Sequence, residues 1–356
     1  MFKLAENWTL EQLAYFDDIL DVRSPAEYAL DHLPAAVNFP VLDDAERARV
    51  GILYKKVSHF EAKKQGAALV AEHIAAHIKE HLSDKSEGWQ PLVYCWRGGT
   101  RSAAMVHVLS DIGWRAQQLP GGYKAYRNRV IAKISELANQ LHFTVLCGPT
   151  GVGKTKLLNA LRKQSKQVLD LEDIANHKGS VLGEPTEGTQ PSQKYFESRL
   201  CSAMMAFDAK QVVYVEAESP KIGRIQLPTV LLDAMHRGQC LRVEASLASR
   251  VSFLSSEYRH FLKNSELFKQ AVEKLTAYAG KKKITHWLSL HSEGKLTELV
   301  EDLLVSYYDP FYTRSMKKNF KRYQNTDTKI QLQHIDEANL AEVAEAIERM
   351  CMPSCE

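Results

Sequence analysis

The apolar run Phe143-Thr144-Val145-Leu146-Cys147 leads directly into Gly148-Pro149-Thr150-Gly151-Val152-Gly153-Lys154-Thr155, which opens the helical stretch KLLNALRKQ. A strand that turns through glycines onto a helix N-terminus presents a row of backbone N–H groups to an anion, so this junction belongs at the end of a buried strand in an α/β fold. The GxxxxGK[ST] spacing assigns roles. Gly148, Gly151 and Gly153 open the backbone to phosphate oxygens, Lys154 reaches the terminal phosphates, and the Thr155 hydroxyl is placed to ligate magnesium. The loop does not choose among phosphates. Glu216 and Glu218, at the end of the apolar strand QVVYVEAES, are either a second contact to that metal or ordinary carboxylates at a strand end. Asp170, Glu172 and Asp173 in QVLDLED are open to the same two readings.

The rest of the chain alternates strand and helix. Before the loop come an extended ILDVR, an amphipathic run from Gln65 to Leu82, a strand PLVYC and a helix from Ser102 to Asp111. After it come QVLDLED, QVVYVEAES and CLRVEA, then KIQLQHI and an amphipathic helix from Asp336 to Met350. Short apolar strands separated by helices imply parallel sheets. The expected fold is therefore α/β, with two parallel-sheet domains at 1–125 and 142–356. The stretch Lys124 to Leu141 lacks Gly and Pro and spaces Val130, Ile134, Leu137 and Leu141 at helical intervals, which predicts a linking helix over 126–141.

With 356 residues, 45% hydrophobic and 25% charged, the chain has the balance of a folded globular protein. Its net charge of +3 excludes a surface coated in positive charge, so nucleic acid would have to be met by a local patch. The start, MFKLAENWTLEQL, carries acids and no apolar core, and nowhere do about 18 apolar residues run together, so a cytoplasmic protein with no membrane partner is expected. Six cysteines at this length do not make a disulfide framework.

Cys95 stands apart from the other thiols by its setting. It ends the strand PLVYC and is followed by WRGGT, Arg101 and Ser102 at a helix start. Gly98 and Gly99 let consecutive N–H groups turn inward as an anion cradle, and the helix N-terminus, Arg97 and Arg101 favour thiolate over thiol. A buried strand-end cysteine beside a glycine turn is the plain alternative; two arginines in the turn favour the reactive one.

The runs DVRSPAEY (21–28), HLPAAVNFP (32–40), CWRGGTRS (95–102) and LPGGY (119–123) resemble the successive motifs of the rhodanese family. The resemblance covers the first third of the chain. Its loop, Cys-x5-Arg, is one residue longer than the usual rhodanese Cys-x4-Arg and matches the length found in cysteine phosphatases and arsenate reductases. WRGGT offers no carboxyl group to protonate a leaving oxygen, and Tyr94 replaces the His that commonly precedes such a Cys. Chalcogen transfer is favoured over phosphate hydrolysis.

Three weaker constellations remain. His73, His77 and His81 share a helical face with no fourth ligand to fix a metal, so a structural role is expected. Cys351 and Cys355 lack a partner pair and read as idle. Between Phe311 and Tyr323, Arg314, Lys317, Lys318, Lys321 and Arg322 fall among aromatic residues without an intervening acid, which suits either an RNA backbone or a solvated basic helix.

Taken with CWRGGTRS, the landmarks ANHKGS (175–180), QPSQKYFE (190–197), VEAESPKIG (215–223) and YDPFY (308–312) make the chain similar to the bacterial tRNA 2-selenouridine synthases over nearly its whole length. The resemblance implies a rhodanese-like domain followed by a P-loop NTPase-like domain. It also implies a tRNA carrying wobble 2-thiouridine, S-geranylated from geranyl diphosphate and then converted with selenophosphate to 2-selenouridine, with no tightly bound cofactor. Cys95 would carry selenium as a selenyl-sulfide, with Arg97, Arg101 and the loop amides holding transient anions. The phosphate loop would hold the diphosphate, with magnesium on Thr155, while a nucleotide stays open as its ligand. The geranyl pocket is assigned to Leu182 to Phe196 by proximity to that loop. Two other readings are carried forward: a P-loop kinase or NTPase with a regulatory rhodanese domain, and an RNA-binding switch.

Overall fold

The computed structural model describes residues 3–179, 188–257, 259, 264–319 and 328–351, with the backbone alone for 317–319 and 348–351. The chain divides into two units, Met1–Ile134 with Pro191–Ser202, and Ser135–Gln190 with Ala203–Glu356.

The first unit runs β1 (Asp18–Asp21), α1 (Pro25–Leu30), β2 (Ala36–Asn38), α2 (Asp44–Lys56), α3 (His59–His81), β3 (Pro91–Tyr94), α4 (Thr100–Ile112), β4 (Gln117–Gln118) and the start of α5 (Gly122–Gln140). Its sheet has the order β2-β1-β3-β4, parallel throughout. All four residues of β3 are buried, as expected of an inner strand covered on both faces. Leu20 and Val93 from the sheet pack with Val70 and Ile74 of α3 and Met105 and Leu109 of α4. That core fixes the end of β3, where Cys95 follows.

The second unit begins with β5 (His142–Cys147), α6 (Lys154–Lys163), β6 (Gln167–Leu169) and α7 (Leu171–Ala175). After α8 (Gln193–Met205) it continues through β7 (Val212–Glu216), the hairpin β8 (Lys221–Ile222) and β9 (Ile225–Gln226), α9 (Thr229–Arg237), β10 (Gln239–Ala245) and α10 (Leu247–Glu257). A helical group follows: α11 (Ser265–Glu273), α12 (Thr276–Ala279), α13 (Lys281–Ser292), α14 (Leu296–Leu303), a π-helical turn (Leu304–Tyr308) and α15 (Asp309–Asn319). β11 (Lys329–Leu332) and α16 (Glu337–Cys351) close the unit. The sheet order is β11-β10-β5-β7-β6, all parallel. The helical group has its own core around Trp287, Phe268, Leu299 and Leu304, and the Trp287 indole donates to Asp302 at 2.6 Å.

Several sequence expectations need correction. QVLDLED is not one strand: the Asp170 carboxylate accepts the Asp173 N–H at 3.0 Å and starts α7, so β6 ends at Leu169. The helix expected at 126–141 begins at Gly122, and the unit boundary falls inside it after Ile134. Residues 191–202, expected in the second domain, group with the first unit. The reason is Arg127. Its guanidinium donates to the Lys194 carbonyl (3.1 Å), to Ser198 Oγ (3.0 Å) and to the Glu197 carboxylate. No helix among the described residues is long and apolar enough to cross a membrane.

Candidate functional sites

The phosphate loop lies at the carboxyl end of β5, between β10 and β7, where open parallel sheets place their ligands. Gly151 and Gly153 have φ of +80° and +86°, a region that costs other residues strain. At Gly148 a Cβ would sit 2.5 Å from the Val243 carbonyl oxygen, so the loop needs glycine there for room. Lys154 Nζ donates to the Gly148 carbonyl at 2.9 Å, which holds the ammonium across the loop mouth. The Arg250 guanidinium is buried; it donates to the Thr150 carbonyl (2.9 Å) and pairs bidentately with Asp309 at 2.6 and 3.0 Å. It ties the loop to α15, and sequence reading did not find it.

Thr155 Oγ1 donates toward Glu172 Oε2 (3.3 Å) and Glu216 Oε2 (3.4 Å). Carboxylate oxygens of Glu172, Glu216 and Glu218 lie within 4.8 Å of one another, the one such acidic or metal-ligating group among the described residues. Of the acids left open by sequence, Glu172 joins Glu216 and Glu218, whereas Asp170 turns away to cap α7 and to meet Arg162 at 3.3 Å. Burial first, and then the neighbouring carboxylates, against the opposing charge of Lys154, push Glu172 up to about 7 and Glu218 up to about 8, and hold Glu216 well above the usual carboxylate range. Glu216 Oε1 is buried with no hydrogen-bond partner among the described residues. An all-oxygen donor set with an orphaned buried oxygen and crowded negative charge fits a hard divalent cation such as magnesium. The residues that would hold it are Thr155, Glu172, Glu216 and Glu218.

Loop and acids form one end of a cavity of about 510 Å³. Its other walls are Phe253 and Leu254 of α10, Tyr307 and Tyr308 of the π-helical turn, and Phe311 and Met316 of α15. The Tyr307 ring lies 5.0 Å from Tyr308 and 4.8 Å from Phe311. A ligand that fills this space has a phosphorylated head and an apolar or aromatic body.

In the first unit, Cys95 Sγ lies at the bottom of its loop and is 3% exposed as a residue. It accepts the Gly99 N–H at 3.2 Å and the Ser102 hydroxyl at 3.1 Å. Gln118 Nε2 donates to Ser102 Oγ (2.8 Å) and to the Gly99 carbonyl (3.1 Å), which holds both donors in place. Arg101 is fixed by Glu27 at 2.8 Å rather than turned freely to solvent. Burial works against the thiolate, but the hydrogen bonds from Ser102 and Gly99 and the charge of Arg101 outweigh it, so the thiol is held below its ordinary range. Arg97 is exposed and forms no hydrogen bond or ion pair among the described residues. Gly98 has φ +66°, and beneath the loop a Cβ on Gly122 would lie 2.4 Å from the Cys95 carbonyl oxygen. The LPGGY run thus supports the cradle from below, with Tyr123 N–H donating to that same carbonyl at 2.9 Å.

Tyr94 is buried and donates to Asp21 at 2.6 Å, inside a network that also holds Arg23 against Asp21. The residue before the cysteine serves packing. His73 and His77 face Glu46 (2.8 Å) and the Pro40 carbonyl (2.9 Å), separate partners that explain their shared helical face without a metal.

A model of the tRNA 2-selenouridine synthase AAA domain matches residues 141–342, more than half of the chain, and one of the rhodanese-like domain matches residues 6–129. The chain belongs to the tRNA 2-selenouridine synthase family. The tRNA 2-selenouridine synthase of Shewanella pealeana is 33% identical over 334 residues, spanning 85% of this chain and 90% of its own length. That of Hydrogenovibrio crunogenus is 31% identical over 339 residues, 84% and 89% of the two chains. Among solved structures, a rhodanese-related protein from Thermoplasma volcanium aligns with 33% of this chain and 82% of its own at 19% identity and a TM-score of 0.22. The protein is an enzyme of this family, a rhodanese-like α/β domain followed by a P-loop-like one.

Ser102, Gln118 and Glu27 were not singled out by sequence as site residues, because their roles arise from a hydroxyl at a helix start, a neighbouring strand and a short helix 74 residues before Arg101. Ser102→Ala removes one donor from a thiolate, an interaction of about 1.5–3 kcal/mol, so the Cys95 thiol is expected to titrate about one to two pH units higher. The absorbance of the thiolate across a pH series, with Cys95→Ser as the blank, reads this directly; an unmoved midpoint would remove Ser102 from the cradle.

Proposed function

We propose that this enzyme converts the wobble 2-thiouridine of tRNA to 2-selenouridine in two steps, S-geranylation from geranyl diphosphate and exchange with selenophosphate. The observation that carries it is the Cys95 sulfur, hydrogen-bonded by Gly99 and Ser102 in its anion cradle, in a chain whose relatives are named for that product. A thiocarbonyl sulfur leaves poorly; once alkylated it departs from C2 as a geranylthiolate when selenium arrives. The Cys95 sulfur attacks the phosphorus of selenophosphate and breaks the P–Se bond, so selenium leaves as hydrogen selenide rather than as a selenyl-sulfide, which would need an oxidant. The selenide adds to C2 and expels the geranylthiolate, water hydrolyses the S-phosphocysteine to phosphate, and the amides of Gly98 and Gly99 with Arg101 and Arg97 hold the anions.

The diphosphate sits in the phosphate loop of Gly148, Gly151 and Gly153, with Lys154 on its terminal phosphate. A magnesium ion on Thr155, Glu216, Glu218 and Glu172 would neutralise charge on the leaving diphosphate. The segment first expected to hold the geranyl chain, Leu182 to Phe196, lies outside the described residues as far as Glu187. We assign the chain instead to the apolar wall of Phe253, Leu254, Tyr307, Tyr308, Phe311 and Met316. The site of action is the cytoplasm, where tRNA and reduced thiols are found.

Incubation with thiolated tRNA, geranyl diphosphate and selenophosphate, followed by mass spectrometry of the nucleosides, is expected to give S-geranyl-2-thiouridine and 2-selenouridine. Rapid ATP or GTP turnover that is indifferent to Cys95 substitution, with no modified base, would replace this reading with the kinase one. Nucleotide-dependent RNA affinity without a modified base would replace it with the switch.

The basic strip near the C-terminus is proposed as one tRNA contact. Arg314 is exposed over the Phe311 ring at 5.5 Å. Lys317 and Lys318 lie on α15 with undescribed side chains, and Lys321, Arg322 and Cys355 lie outside the described residues, as does the Cys351 side chain. Changing Lys317, Lys318 and Lys321 to Ala together is expected to flatten the slope of log affinity against log salt by about two units. Slopes equal to wild type would show that the strip is merely solvated.

A further inference from the structure

Four of the protein's large exposed apolar residues fall within nine positions of the first unit: Ile52 (55% exposed), Tyr54 (48%), Val57 (69%) and Phe60 (70%). They occupy the end of α2, the start of α3 and the tight turn between them, which Ser58 fixes by accepting the Glu61 N–H at 3.3 Å. Exposed apolar groups gathered this densely at one helix–turn–helix junction mark a surface that something covers. The charge beside them says what kind of partner does so. From Arg49 to Gln65 there are five cations, Arg49, Lys55, Lys56, Lys63 and Lys64, and one acid, Glu61, which Lys64 engages at 2.9 Å. This turn carries a net +4, against +3 for the whole chain of 356 residues. Arg49, Lys55, Lys56 and Lys63 are exposed and form no ion pair among the described residues.

We infer that the α2–α3 turn is an RNA-binding surface, with the lysines on the phosphate backbone and the Tyr54, His59 and Phe60 rings beneath unstacked bases; the inference rests on the reading of tRNA as substrate. Tyr54 and His59 already stack, centroids 4.2 Å apart and 16° from parallel, a platform on which a further ring can be laid. A membrane surface would ask for apolar and basic side chains on opposite faces of a helix. Here they alternate through the turn, as Tyr54, Lys55, Lys56, Val57, His59, Phe60 and Lys63 do, which favours a polyanion that offers bases and phosphates at short intervals. The turn is also placed to serve the thiol. Arg47, eight residues before Lys55 and so about 12 Å along α2, lies 3.7 Å from the same Glu27 oxygen that fixes Arg101 of the cysteine loop. RNA held on the turn therefore runs within a few nucleotides of Cys95.

The test is tRNA affinity over a salt series for the full chain, for Lys55→Ala/Lys56→Ala/Lys63→Ala, and for Tyr54→Ala/Phe60→Ala. All five positions are exposed, so the fold is expected to stand, and the Cys95 thiolate titration serves as the check that the site is intact. The lysine variant is expected to flatten the salt slope by about two units, so that raising salt from about 50 to about 200 mM costs it about fifteenfold less affinity than it costs wild type. The aromatic variant is expected to bind at least about fivefold more weakly with its slope unchanged. Slopes and affinities equal to wild type would overturn the inference, as would loss of binding to phosphatidylglycerol vesicles with tRNA binding intact, which would make the turn a membrane contact. If the wild-type chain neither binds nor modifies thiolated tRNA, the substrate reading itself falls. If it modifies tRNA and the variants bind as it does, only this surface is wrong.

Discussion

Cys95→Ser is expected to lower selenium incorporation by at least about a thousandfold while S-geranylation of the tRNA continues. A serine hydroxyl at this position would accept the same hydrogen bonds from Gly99 and Ser102, so the loop keeps its shape. What is lost is the ionised nucleophile, because the donors that stabilise a thiolate cannot bring an alcohol near neutral titration. Accumulated S-geranyl-2-thiouridine with no 2-selenouridine in the nucleoside digest is the expected signature. Undiminished selenouridine would show that Cys95 carries nothing, and loss of both products would show that the two steps share it.

Lys154→Ala is expected to act on the other step. The ammonium now donating to the Gly148 carbonyl is the side-chain charge at the loop mouth, and a charged hydrogen bond to a terminal phosphate contributes about 1.5–3 kcal/mol, so diphosphate binding should weaken by at least about tenfold. Geranylation should fall with it, whereas selenium exchange on tRNA that is already geranylated should proceed. Titration calorimetry with geranyl diphosphate and with ATP, each in the presence of magnesium, identifies the ligand. Tighter ATP binding without competition from geranyl diphosphate would assign the cavity to a nucleotide.

The phosphate loop and the cysteine loop were legible in sequence because each is local: glycines, a helix start and the reacting group fall within eight residues. What made them work was not local. Glu27 fixes Arg101 from 74 residues away, and Arg250 reaches Thr150 across 100 residues of sequence and Asp309 across 59. The choice between Asp170 and Glu172 could not be made from composition, since both are acids two residues apart; it is decided by Asp170 capping α7. The parallel strands were readable as apolar runs. The helical group from Ser265 to Asn319 was not, because its amphipathic faces meet one another around Trp287 rather than a strand whose pattern would announce it.

The grouping of residues 191–202 with the first unit has a consequence for how the chain is made. Asp31 and Arg127 are buried with side chains 3.6 Å apart, and Arg127 finds Glu197 and Ser198 only some seventy residues later. During synthesis the rhodanese-like sheet can form once β4 has emerged, but a buried guanidinium waits without its full set of acceptors while β5, the phosphate loop and β6 are still being made. The first unit to begin folding is thus not the first to finish. A fragment cut after the linking helix would carry the whole cysteine loop and still lack the piece of chain that completes its interior.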